Sequence, residues 1–88
     1  MVKEYKILMR GGELKTVSGR RCKIVPWMDT FSRYEDGYYV VSECSSGAYL
    51  SLGKTLNVAV STAKMLIEKH KKWRVVRYIN VIKHTNGL

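Results

Sequence analysis

Several things are scarce in this chain, and each scarcity removes a class of protein. Cysteine occurs twice, at Cys22 and Cys44, with no CxxC pair, and the two histidines, His70 and His84, lie far apart in the sequence. Neither a disulfide scaffold nor a zinc site of ordinary ligand spacing is expected from that set. Two buried free thiols are expected instead, and no cofactor or metal. Proline occurs once, at Pro26, and there is no linker, internal repeat or low-complexity tract. No apolar run approaches the ~20 residues that a membrane-spanning helix needs. Lys6 and Arg10 interrupt the first apolar stretch, so no signal-peptide pattern opens the sequence. A soluble cytoplasmic protein with no membrane partner is the expectation.

Acid is scarce too. Against 16 Lys and Arg stand 7 Asp and Glu, a formal net charge of +9. The imbalance is uneven. Residues 1–23 carry seven basic side chains against Glu4 and Glu13, and residues 54–88 carry eight against Glu68 alone. Between them, Arg33 is outnumbered by Asp29, Glu35, Asp36 and Glu43. Two basic blocks flanking an acidic middle attract polyanions, nucleic acid foremost, and speed encounter with them.

What is present suits a small α+β domain spanning residues 1–88, with 45% hydrophobic residues. Lys3 to Met9 alternates, placing Tyr5, Ile7 and Met9 on one face and Glu4, Lys6, Leu8 and Arg10 on the other, as in a half-buried strand. Gly11-Gly12 signals a turn. Glu13 to Val17 reads as a short second strand, Ser18-Gly19 as another turn, and Arg20 to Trp27 as a third strand. Pro26 near its end indicates an edge or a terminus, since proline cannot donate to a ladder. Met28 to Gly37 reads as a loop rich in turn formers, with Phe31 and Tyr34 available to pack back. Asp36-Gly37 then stands where a hairpin turn would, directly before Tyr38 to Cys44. That segment is aromatic and β-branched on both faces and predicts a central strand. Ser45-Ser46-Gly47 turns the chain into Ala48 to Leu52.

From about 55 to 71 the pattern changes to that of one long amphipathic helix. Thr55 is placed to cap it. Leu56, Ala59, Val60, Ala63, Leu66, Ile67 and His70 recur at helical spacing. The small Ala59 and Ala63 allow close approach to a sheet. Residues 73–82 contain several β-branched side chains and predict a C-terminal strand rather than an extension of the helix. The expected fold is therefore an antiparallel sheet of four to six short strands packed against a single long helix.

Chemistry is sparse. Glu35 and Asp36 are paired carboxylates, but they are neighbours in a wet turn, where a turn role outweighs acid/base work. Gly53-Lys54-Thr55 resembles the end of a phosphate loop. The upstream glycine of that motif would fall at Ala48, and Gly47 is one residue early. No serine or cysteine has a histidine placed by a recognisable motif, so no enzymatic activity is expected. The richest constellation is basic and aromatic: Lys69, Lys71, Lys72, Arg74, Arg77 and Tyr78. Lysine and arginine neutralise phosphates, and an aromatic beside them stacks on an exposed base. Trp73, in the same stretch, is read as core or rim packing. Arg20, Arg21 and Lys23 form a second basic group, which would join the first if the sheet brought the first and last strands together.

The run Asp36-Gly37-Tyr38-Tyr39-Val40-Val41, then Ser46-Gly47, then Gly53-Lys54-Thr55-Leu56 and a helix with Ala59 and Ala63 four apart, resembles the HicB-type antitoxin domain over residues 36–67. That family runs from an acidic-Gly strand start through a Pro-Gly-Cys-like turn to Gly-Asp-Thr-Leu and a helix with spaced alanines. This chain has one extra residue between the two glycines and lacks the Pro-Gly-Cys turn. The resemblance implies a small sheet-plus-helix fold of double-stranded-RNA-binding-like shape. The leading expectation is a non-enzymatic, basic nucleic-acid-binding module (DNA or RNA) contacting mainly the phosphate backbone. The alternative is a protein-binding inhibitor that docks on an acidic protein surface. It would be antitoxin-like, or a small phage or mobile-element factor blocking a host nuclease complex, such as an anti-CRISPR or anti-restriction protein. An edge strand offers a route to a homodimer.

Overall fold

A computed structural model of the chain describes residues 2–9 and 11–85. The expectations for Arg10 and for a loose end at Asn86-Gly87 lie outside the described residues. Five strands come first: β1 (Val2–Leu8), β2 (Leu14–Val25), β3 (Met28–Glu35), β4 (Tyr38–Glu43) and β5 (Tyr49–Gly53). Two helices follow, α1 (Leu56–His70) and α2 (Lys72–Thr85). The strands form one antiparallel meander in sequence order, β1-β2-β3-β4-β5. The α+β class and the strand number fit the sequence reading; the single helix does not. No helix among the described residues is long and apolar enough to cross a membrane.

The turn chemistry decides the hairpins. Asp36 and Gly37 have φ of 51° and 85°, the paired positive values of a two-residue hairpin whose twist matches its strands, and Glu35 pairs with Tyr38 across it. Pro26-Trp27 closes the tight turn between β2 and β3. At the β4–β5 turn, Gly47 has φ 72°, and a Cβ there would lie 2.6 Å from the Lys6 carbonyl oxygen. The Leu8 N–H donates to the Gly47 carbonyl at 3.0 Å. The end of β1 thus reaches the β4–β5 turn across the intervening strands, so the sheet is strongly curled.

Two sequence expectations about the strands are corrected. Ser18-Gly19 is not a turn: it lies within β2, a single 12-residue strand. Gly19 is there for space. A Cβ would sit 2.6 Å from the Ser32 carbonyl oxygen and 3.0 Å from Phe31 Cδ2, and a glycine inside a strand often marks such an approach. Residues 28–35 are not a loop either. Their polar side chains Thr30 and Ser32 are buried and bonded to the carbonyls of Cys22 and Arg20 on β2, so polarity does not signal exposure here. Phe31, between them, is fully buried. Tyr34 remains exposed and meets Tyr39 edge-on at 5.0 Å.

The helices cover one face of the sheet. Met28, Val41 and Leu50 from the strands meet Ala59, Ala63 and Ile67 from α1, and Val75 and Ile79 from α2. Ala59 and Ala63 are fully buried, and the Ser51 hydroxyl donates to the Ala59 carbonyl at 2.6 Å. That small seam lets α1 lie close on β5. Leu56 and Leu66, counted in the stripe from spacing, are exposed; the buried stripe is the narrower Ala59–Ala63–Ile67 row.

The C-terminal strand is the main correction. Residues 73–82 are helical, in α2. Val75, Ile79 and Ile82 are its buried residues, at the i, i+4, i+7 spacing of a helix face. β-propensity is a measure of fit to a pleated surface rather than an intrinsic preference, and here no sheet edge receives the segment. Between the helices Lys71 takes φ 61°, ψ 150°. It ends α1 near the predicted helix end, and a second helix follows where a strand was predicted.

Candidate functional site

Each cation of the main basic group is held by a helix or by the junction between helices. Lys69 lies in the last turn of α1, where the helix dipole favours positive charge. Lys71 is the junction itself, and Lys72 and Arg74 lie in the first turn of α2. No acidic residue occupies that first turn, so these cations stand against the dipole. Arg77 and Tyr78 follow one turn later. All six side chains are exposed. The salt bridges among the described residues, Arg21–Asp29 and Arg33–Glu35, involve none of them. The residues that the sequence groups by proximity are thus all exposed around the helix junction, on a helix where the sequence predicts a strand.

That error changes which side chains share a face. A strand would place Trp73, Val75 and Arg77 together, and Arg74, Val76 and Tyr78 opposite. On α2, Val75 turns inward and Trp73 and Arg77 form one outward row with Asn80 and His84. Arg74, Tyr78 and Val81 form the adjacent row. Trp73, read from the sequence as core or rim packing, is 61% exposed, and Tyr78 is 50% exposed. The helical spacing of Val75, Ile79 and Ile82 is the signal that would have placed Trp73 outside. The Arg74 guanidinium carbon lies 5.7 Å from the Trp73 ring centroid, and Lys72 Nζ lies 5.5 Å from that of Trp27.

The second row faces a groove of about 750 Å³ between α2 and the ridge of α1 and β5. Trp73, Arg74, Arg77 and Tyr78 line it from α2, so the first row reaches its edge too, with Tyr49 and Leu66 opposite. Tyr49, 52% exposed at the start of β5, carries no signal in the sequence that marks it for this site.

The second basic group is not assembled in the same way. Arg20, Arg21 and Lys23 are exposed on β2, but neighbouring residues of a strand point to opposite faces. Arg21 is bonded to Asp29, which neutralises part of its field. The last strand that would have joined them to the C-terminal group does not exist. The cation–π contact of Lys72 with Trp27 sets the start of α2 over the β2–β3 turn, the end of β2 nearest Lys23.

The remaining chemical candidates have structural roles. Thr55 caps α1 by accepting the Val58 N–H at 3.2 Å, and a Cβ on Gly53 would lie 2.6 Å from Ala59 N. Gly53-Lys54-Thr55 is therefore a tight strand-to-helix junction. Glu35 pairs with Arg33 at 3.1 Å, and Asp36 forms the hairpin. Cys22 and Cys44 are free and half-buried. Burial raises both thiol pKa values, that of Cys44 to about 11, with the Glu43 and Asp29 charges adding to the effect. Among the described residues no three His, Cys, Asp or Glu side chains gather as a metal site would require. No family model, no curated protein and no solved structure matches the chain.

Proposed function

We propose that this protein is a non-enzymatic nucleic-acid-binding module that holds the phosphate backbone of DNA or RNA on the α1–α2 surface. The observation that carries the reading is the density of exposed, unneutralised cations at the helix junction. Lys69, Lys71, Lys72, Arg74 and Arg77 crowd around a helix start that has no acid of its own. Placing cations against a helix dipole costs stability, and a phosphate bound there offsets that cost. Phosphate contacts of this kind give affinity without reading sequence. Lys23 and Arg20 extend the positive field from β2, with Arg21 contributing less because of Asp29.

A salt titration of binding to single- and double-stranded DNA and RNA tests the reading. Log K should fall linearly with log salt, by about 0.9 per phosphate neutralised on a duplex and about 0.7 on a single strand. Lys71/Lys72/Arg74→Ala should reduce that slope by about two to three. Binding that ignores salt, or survives the triple substitution unchanged, refutes the proposal.

A protein-binding inhibitor, antitoxin-like or of the phage-borne kind, is favoured by one observation. Val76 and Val81 add apolar surface to the exposed side of α2, which phosphate contacts do not need. A pull-down that returns a single protein and resists nuclease treatment would support it.

A further inference from the structure

We infer that the groove between α2 and the α1–β5 ridge takes an unpaired nucleic-acid strand, with bases stacked on Trp73 and Tyr78 and phosphates held by Arg74 and Arg77. The inference rests on the nucleic-acid reading above and narrows its ligand to single strands. Its basis is the way α2 uses its residues. Burial of the helix against the sheet is already supplied by Val75, Ile79 and Ile82. Trp73 and Tyr78 are not needed for that contact and lie 61% and 50% exposed. Single exposed aromatics are ordinary, but Trp73, Val76, Tyr78 and Val81 are exposed together on one helix, and a gathered apolar patch of that kind marks an interaction site.

The order along the two outward rows is specific. In one row Trp73 precedes Arg77 by four residues; in the adjacent row Arg74 precedes Tyr78 by four. Four residues make about one turn, an axial step of about 6 Å. Both α2 aromatics therefore have a guanidinium one turn away in their own row and another in the neighbouring row. Arg74 already lies over Trp73 at 5.7 Å. Alternating π faces and cations is the arrangement that binds alternating bases and phosphates. Tyr49 at 52% exposure and Leu66 supply an apolar opposite wall, and His70 lies at its edge.

Charge selects the occupant. Glu68 is the only acid after position 53, against eight Lys and Arg, so a second copy docked through the same face would bring like charge against like. An acidic strand complements the surface. Its bases must be unpaired, because a duplex buries their faces in the stack and presents only phosphates and groove edges. A duplex could engage the lysines but would leave Trp73 and Tyr78 unused.

The test is a binding comparison at one salt concentration using labelled oligo-dT, oligo-U and a random-sequence duplex, each about 15 nucleotides or base pairs long. The proteins are the wild type, Trp73→Ala, Trp73→Phe and Tyr78→Ala, with circular dichroism confirming that each is folded. The wild type should prefer the single strands and quench Trp73 fluorescence on binding them. Trp73→Ala and Tyr78→Ala should each weaken single-strand binding by about 5- to 100-fold and leave the duplex nearly unchanged. Trp73→Phe should retain most of the affinity, since it retains a π face. The ratio of oligo-U to oligo-dT affinity tells which strand chemistry the groove favours. Equal affinity for duplex and single strands, or equal loss of both in Trp73→Ala, overturns the inference while leaving phosphate binding intact. Failure of every oligomer to bind at low salt overturns the nucleic-acid reading with it.

Discussion

The Tyr5 ring lies flat against the Phe31 ring, with centroids 4.1 Å apart and planes within 5°. Tyr5 is on β1 and Phe31 on β3, so the contact spans the strand between them. It is possible because β2 has no side chain at Gly19, whose missing Cβ would lie 3.0 Å from Phe31 Cδ2. The stack ties the edge strand β1 to the interior of the sheet at a fully buried residue. Stacked aromatic pairs contribute about 0.5–1.5 kcal/mol beyond the area they bury.

Gly19→Ala should therefore destabilise the fold by about 1–3 kcal/mol, the usual cost of forcing a methyl into a packed position. The clash is with backbone, the Ser32 carbonyl oxygen, which cannot swing aside. Urea unfolding reads the loss as a lower midpoint. Ser18→Ala, at an exposed neighbour, should stay within about 0.5 kcal/mol of the wild type. A conformational account of Gly19 would require a positive φ, which it does not have.

Glu43→Gln should cost about 1–3 kcal/mol through unmade hydrogen bonds. The carboxylate is buried at the end of β4 and accepts from the backbone N–H and hydroxyl of both Ser45 and Ser46. An amide replaces one acceptor oxygen with a donor facing donors. Chemical denaturation measures the loss, and Glu35→Gln on the exposed hairpin serves as the comparison.

Lys71→Gly should stabilise the fold by about 1 kcal/mol, the relieved strain net of glycine's entropy cost, and so raise the melting temperature. Lys71 holds φ 61° with ψ 150°, a region that side chains disfavour. The same substitution removes one cation from the proposed interface, so the salt slope of binding should fall by about one. Stability and binding thus move in opposite directions, which a simple loss of structure would not produce.

Cys44 should resist alkylation in the native state. A thiol pKa raised from 9.0 to about 11 leaves about 100-fold less thiolate near pH 8 than an unperturbed cysteine has. Iodoacetamide labelling should be correspondingly slow when folded and accelerate in urea. The folded thiol holds its proton more tightly than the unfolded one. Stability should therefore decline as pH rises from about 9 towards 11 and be insensitive to this group below that window. Cys44→Ser should flatten the decline.

How much of this was legible from the sequence depended on whether the signal was local. The Asp36-Gly37 hairpin, the Gly11-Gly12 turn, the Thr55 cap and the helical stripe from Leu56 to His70 were readable because each depends on neighbours a few residues away, although only Ala59, Ala63 and Ile67 of that stripe are buried. The basic cluster at 69–78 was readable because charge density survives any secondary structure. Residues 28–35 were misread because Thr30 and Ser32 find their hydrogen-bond partners on β2, and their polarity looked like exposure until those partners were in place.

The sequence by itself determined that this is a basic α+β chain with an antiparallel sheet of short strands, an amphipathic helix and cations crowded near the C-terminal end; the meander order of the strands came from the structure. The tertiary structure decided three things. Gly19 proved to be a gap for an aromatic stack, because only strand pairing puts Phe31 beside it. Residues 73–82 became a helix, because no sheet edge accepts them and Val75 and Ile79 join the hydrophobic core that α1 and the sheet share instead. That second outcome left Trp73 exposed and set it beside Arg77 and Arg74. Local propensity is worth a few tenths of a kcal/mol per residue, roughly, and burial of an apolar side chain about 1.5–3 kcal/mol. Where the two disagreed, at 73–82, burial won.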